Sequence, residues 1–225
     1  MFNGLKTLGV AAVLVSLPAL ASAATIRVYD IASKPKVLLE RVLDTGDMTR
    51  AKSDGTDANM SWDITVTPQD MAGQSRLNTI AVTTSGVGAI MILVSEDNFG
   101  AGAGGTSTSS VQLDVAATTV GKSLMVKGYV DDNNRLFSKD TAIDAGGVLL
   151  NSSVNGFQTG QNTLTKILTD PFSMTTAFMI RHNDANDMTS FDATQVAAVP
   201  VPAAGMLLLT ALGGLGIARR RRKAS

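Results

Sequence analysis

The 225-residue chain contains no cysteine, one histidine, one tryptophan, two tyrosines and only two glutamates. The lack of thiols excludes a disulfide framework, a thiolate metal site and a cysteine nucleophile together. With His182 as the sole histidine, hydrolytic triads and most zinc sites would have to assemble around that one residue. It ends an apolar run as Arg181-His182-Asn183-Asp184, and the reading is a surface residue at a strand end. Trp62, Tyr29 and Tyr129 are the only large polar-tipped aromatics, so the ring platforms usual in sugar sites are scarce. Glu40 and Glu96 stand against 17 Asp. That bias favours turns, because the short Asp side chain bonds nearby backbone N–H groups.

The ends carry their own signals. MFNGLK supplies one cation, Lys6; an apolar core runs from Thr7 to Leu20, and Ala21-Ser22-Ala23 gives the small residues a signal peptidase requires. These are the three parts of a secretory signal peptide, so cleavage is expected after Ala23. A retained anchor fits less well, because Pro18 and the alanines shorten a run already below the roughly 20 residues that span a bilayer. Five of the 19 Lys and Arg (Arg219, Arg220, Arg221, Arg222 and Lys223) lie in the C-terminal tail and Lys6 lies in the signal. The remaining 13 cations face all 19 acids, leaving the body, residues 24–198, at a net charge of about −6. No nucleic-acid partner is expected, since phosphate binding needs a cationic face. A body of this length can form one core as a single domain.

The body reads as β. In SWDITVT, Trp62, Ile64 and Val66 share one face, with the two-residue period of a half-buried strand. SVQLDVA repeats the pattern, with Val111, Leu113 and Val115 inward and Gln112 and Asp114 outward. In FSMTTAFMIRH, Phe172, Met174, Phe178 and Ile180 line one side. GAIMILVSE (88–96) is continuously apolar and suits a central strand covered on both faces. Further strands are expected at 25–31, 76–84, 123–131, 146–153 and 188–196, with turns at DGTDAN (54–59), DDNN (131–134) and NDAND (183–187). KPKVLLERVLDTG (34–46) places Leu38, Leu39, Val42 and Leu43 at helical spacing and is equally compatible with a strand. GAGAGGTSTSS (100–110) reads as a flexible low-complexity loop. About nine strands with short loops and no βαβ rhythm predict an all-β fold, a single antiparallel β-sandwich, jelly-roll-like, without internal repeats.

Assembled chemistry is sparse. Gly100, Gly102 and Gly105 spell G-x-G-x-x-G, but a dinucleotide site needs that motif to open a helix. Here it runs on into Thr, Ser and a strand, so it reads as a hairpin loop. Asp pairs meet the minimum for glycoside hydrolysis, two carboxylates at a suitable distance. Hard oxygen ligands for calcium cluster on loops, at Asp54 and Asp57, at Asp131 and Asp132, and at Asp184 and Asp187, though none has EF-hand spacing. No other cofactor is expected.

The C-terminal stretch is the most specific. Val199-Pro200-Val201-Pro202-Ala203 precedes sixteen uncharged residues, 203–218, and then the basic tail of 219–225. As a helix, residues 203–218 would be ~24 Å long, short for a bilayer but workable with flanking residues and snorkelling arginines. Cationic flanks stay cytoplasmic, so both ends place the body outside and the tail inside. The simplest physical reading is a tail anchor.

The order of proline motif, Gly-rich apolar helix and arginine cluster resembles the C-terminal sorting signal of PEP-CTERM proteins, in the variant whose motif is V-P-L-P-A. The resemblance covers about residues 199–225 and rests on Val199, Pro200, Pro202, Ala203 and Arg219 to Arg222; Val201 departs from the variant's Leu and from the parent motif's Glu. It implies recognition by an exosortase, a membrane transpeptidase-like enzyme, removal of the helix and tail, and delivery to the surface or extracellular matrix of a Gram-negative bacterium. The expected function is a non-enzymatic surface or matrix protein linked to exopolysaccharide, biofilm or the cell envelope. A carbohydrate- or calcium-dependent binding module acting as an adhesin is the alternative. A secreted hydrolase using an Asp pair is the third.

Overall fold

A computed structural model describes residues 24–32, 35–43, 48–52, 59–67, 74–99, 106–143, 147–151, 158–169 and 171–198. The expected signal peptide, Asp54 and Asp57, the three loop glycines, the proline motif, the apolar helix and the arginine tail all lie outside those residues. Among the described residues there are twelve strands and no helix long and apolar enough to cross a membrane.

The organising element is β5 (Gln74–Phe99), a strand of 26 residues that serves two half-sheets. Its first part pairs with β4 (Asn59–Thr67) and β12 (Met188–Ala198); its second part pairs with β1 (Ala24–Asp30) and β11 (Phe172–His182). The handover falls at Gly86 and Gly88, whose φ angles of 101° and 143° lie where side chains are rarely tolerated. The sequence suggests two strands here, 76–84 and 88–96. The glycines between them make a bend within one strand rather than a break, because pairing continues on both sides of them.

From β5 outward, one half-sheet continues through β11 to β7 (Ser123–Asp131), with β8 (Thr141–Ala142) and β9 (Val148–Asn151) on its far side, and through β1 to β2 (Lys36–Leu43). The other continues through β12 to β6 (Thr106–Thr119) and β10 (Gln158–Thr169), and through β4 to β3 (Met48–Lys52). Every pairing is antiparallel. The sheet curls so that its halves enclose one core, the arrangement of a β-sandwich.

That core follows the period-2 pattern. Ile26, Val28, Ile90 and Ile92 face Ile64, Val82, Leu113 and Val115 within one cluster. Phe178 of β11 meets Phe191 of β12 across it, with ring centroids 5.0 Å apart. One polar tie crosses the same core. Thr176 donates to Gln195 Oε1 at 2.8 Å, and Gln195 Nε2 donates to the Tyr129 carbonyl at 3.0 Å. Both hydrogen-bonding ends of that buried amide are therefore used, as burial requires.

One open local reading is settled and two expectations change. Residues 36–43 are strand, not helix, and the register on β1 shifts between Val28 and Tyr29. Leu38 is the extra residue of that bulge, so the consecutive Leu38 and Leu39 both pack on the core. The expected loop at 100–110 is shorter, because Thr106 to Ser110 pair with Thr169 to Thr165 of β10. β10 and β3 themselves had no expected strand. In QTGQNTLTKILT the inward positions include Gly160 and Asn162, which hide the alternation.

Candidate functional site

The outer face of the half-sheet containing β12, β6 and β10 carries a groove of about 440 Å³. Register builds it from two rows across the three strands. Thr159 lies opposite Ala116, and Ala116 opposite Asp192; one step along, Gln161 lies opposite Asp114, and Asp114 opposite Thr194. These six residues, with Val115 and Gly160, line the groove. They come together because outward positions on neighbouring strands share a face.

Ala116 keeps the floor low where a longer side chain would fill it. The same row continues through Ala81 of β5 to Thr65 of β4, so small residues recur along a line perpendicular to the strands. Five strands at the usual spacing span about 19 Å along that line. Asp114 is held in place: Gln161 Nε2 donates to its Oδ1 at 2.9 Å and Gln112 Nε2 to its Oδ2 at 2.7 Å. Asp192 is exposed. The lining offers hydroxyls, an amide and two carboxylates, and none of its described residues is Lys or Arg. Such a surface suits a flat, hydroxylated ligand lying across the strands, through many shared hydrogen bonds.

The sequence marks Asp114 as outward on its strand. Thr159 and Gln161 escape notice because β10 does, and Asp192 and Thr194 have no signal of their own. Their convergence depends on pairings between segments far apart in the chain.

The other singled-out residues that lie among the described ones, His182, Asp131, Asp132, Asp184 and Asp187, make contacts within the fold. His182 is the clearest correction: it does end a strand, but it is only 3% exposed. Its Nδ1 lies 2.8 Å from the Gly86 carbonyl, which only accepts, so Nδ1 carries the hydrogen. Nε2 then accepts from the Thr189 hydroxyl at 2.8 Å, and Thr189 Oγ1 accepts from the Gly121 N–H at 2.9 Å. Burial lowers the imidazole pKa, opposed by the Gly86 carbonyl and by Asp187. The ring thus pins β11 and β12 to the bend of β5, a place that sequence cannot show because Gly86 is remote along the chain.

Asp131 accepts the N–H groups of Asn133 and Arg135, both at 3.1 Å, and Arg135 Nε at 2.9 Å. Burial opposes its charge, but the bonds from Arg135 and Asn133 outweigh that and hold the carboxyl well below the usual range. Asp132 pairs with Lys166 of β10 at 2.6 Å. Asp187 Oδ2 accepts the N–H groups of Asn183 and Asp184 at 2.8 and 3.0 Å, and Asp184 Oδ1 accepts that of Asn186 at 2.9 Å. Asp131, Asp184 and Asp187 thus organise their own turns, while Asp132 ties its turn to β10. Among the described residues no three His, Asp or Glu converge.

No family model matches the chain, and no curated protein matches it in sequence. Solved structures resemble it weakly. The enzymatically active domain of tailspike protein 4 from bacteriophage CBA120 aligns over 63% of this chain and 19% of its own, at 10% identity and a TM-score of 0.32. The infectious bursal disease virus Gx strain structure aligns over 85% of this chain and 53% of its own, at 10% identity and a TM-score of 0.33. A xylan-binding CBM22-1 domain from Paenibacillus barcinonensis aligns over 70% of this chain and 98% of its own, at 13% identity and a TM-score of 0.29. The chain spans about a fifth of the first of these and about half of the second.

Proposed function

We propose that this chain is an exported, non-enzymatic surface or matrix protein whose β-sandwich binds polysaccharide in the groove across β10, β6 and β12. The observation that carries the reading is the groove itself, an open cross-strand channel with an alanine floor and hydrogen-bonding walls. The strand order supports a jelly roll as its scaffold. One sheet runs β5-β12-β6-β10 and the other β5-β11-β7-β9, and the chain passes between sheets from β6 to β7, from β9 to β10 and from β11 to β12. On a glycan array the full chain, in mild detergent, is expected to retain polysaccharide, and Ala116→Leu, which fills the floor, is expected to lose it. Absence of binding to every glycan would remove this reading.

Export and sorting rest on the two ends of the sequence. A signal peptide sends the body out, and an exosortase-like enzyme acting near Pro202 releases it from the apolar helix and Arg219 to Arg222. Intact-mass measurement of surface protein from the native host is expected to show a chain lacking those arginines. A full-length tail would restore the tail anchor.

Hydrolysis by an Asp pair keeps one specific observation in its favour. Asp114 and Asp192 line the same groove from neighbouring strands, with Asp192 opposite Ala116. Diagonal neighbours of this kind have Cα atoms about 7–8 Å apart, which lets the side chains reach the roughly 6.5–9.5 Å carboxyl separation of inverting glycosidases. Released reducing ends, lost in Asp192→Asn, would be its signature.

A further inference from the structure

We infer that the groove is selective for a cationic amino-sugar glycan, one whose rings carry free protonated amines, over neutral or uronic-acid polysaccharide. This rests on the reading of the groove as a glycan site.

The argument begins with charge. Among the described residues of the lining only Asp114 and Asp192 are ionisable, and both are acids. An acidic polymer laid there would set carboxylate against carboxylate, an arrangement that costs affinity and steers such partners away. The body as a whole carries about −6, so its long-range field acts in the same direction.

Preorganisation is the second point. Both oxygens of Asp114 are anchored by amide donors, from Gln161 and Gln112, so the carboxylate is fixed before any ligand arrives. A carboxylate oxygen has more than one lone pair, so Asp114 can still accept from an ammonium, which brings three N–H donors. Asp192 stands on the neighbouring strand, displaced by one outward position from the row of Asp114. The two acids therefore face successive places along a ligand rather than one. Thr159, Thr194 and Gln161 between and beside them are neutral partners for ring hydroxyls.

The third point is what supplies affinity. The described lining holds no aromatic ring to stack on sugar faces. Hydrogen bonds to hydroxyls largely exchange for those to water. Charge-assisted bonds from amine to carboxylate are then the strongest contacts on offer, and they separate an amine-bearing polymer from its acetylated counterpart.

The test is a titration of the full chain, in mild detergent at low salt and mildly acid pH, with three oligomers. These are a glucosamine oligomer, the same oligomer fully N-acetylated, and an oligouronate. The glucosamine oligomer is expected to bind tightest. Asp114→Asn and Asp192→Asn are each expected to weaken it about two- to fivefold, the upper part of the range for one accessible ion pair, and added salt is expected to erase the preference. Asp192 is exposed, so its variant retains the fold even if that of Asp114 does not. If the acetylated oligomer or the oligouronate binds as well as the glucosamine oligomer, and Ala116→Leu abolishes that binding, amine selectivity is overturned while the glycan groove stands. If no oligomer binds, amine selectivity falls, and the glycan groove falls with it when the glycan array is blank as well.

Discussion

Phe178→Ala is expected to lower the unfolding free energy by about 3–5 kcal/mol, the usual cost of emptying a fully buried aromatic site. The side chain is 0% exposed. It sits on β11, paired on one side with β5 and on the other with β7, so neither neighbouring strand can move in to fill the space. Its ring lies 5.0 Å from that of Phe191 on the opposite sheet, at an interplanar angle of 41°. The loss therefore combines buried area, a cavity and one aromatic pair that joins the two halves. With total stabilities of about 5–15 kcal/mol typical of domains, the variant would be marginal. Urea denaturation of wild type and Phe178→Ala measures it, with Phe178→Leu as the milder comparison. A shift below about 1 kcal/mol would mean that the two sheets do not close on this residue.

The second large effect concerns the turn after β7. Asp131→Asn is expected to cost about 2–3 kcal/mol near neutral pH, because a buried carboxylate with charge-assisted bonds becomes an amide whose NH₂ must face other donors. Asp131 is 2% exposed, and its bonds position the segment that carries Phe137. The Phe137 N–H reaches the Ser95 hydroxyl at 2.9 Å, and its ring lies 4.0 Å from the Arg27 guanidinium. The pH dependence has a definite sign. The folded carboxyl is held below its ordinary value of 3.8, so its stabilisation is complete above that value and is lost as pH falls through the lower, folded value. The difference between wild type and Asp131→Asn should thus be constant around neutrality and narrow once the pH drops below about 4. Melts at about pH 7 and about pH 3 compare the two. A gap that widens in acid would show that the charge of Asp131 does not hold this turn.

Strand-forming stretches are legible in the sequence because alternation is a local property. Trp62, Ile64 and Val66, or Val111, Leu113 and Val115, announce which face is buried without reference to any partner, and the structure buries all six. Where local signals fail, the cause is visible. β10 places Gly160 and Asn162 on its inward side, and Gly160 is needed because a Cβ there would come within 2.2 Å of Val148. The leucines of β2 fit two periods equally, and the pairing with β1 selects one.

His182 shows the limit most clearly. Its neighbours Arg181, Asn183 and Asp184 are exposed, so the local sequence resembles a surface strand end, while its partners Gly86 and Thr189 come from elsewhere in the fold.

By itself, then, the sequence determined an all-β body, the acidic balance of residues 24–198 and the exclusion of thiol chemistry, since composition and short-range order are enough for each. Only the tertiary structure decided that β5 bends from one half-sheet to the other and that Asp131, Asp184 and Asp187 accept from the backbone of their own turns. It alone brought Asp114, Thr159, Gln161, Asp192 and Thr194 into one groove. The reason is that register between distant strands sets which outward side chains are neighbours, and no short stretch of sequence contains that register.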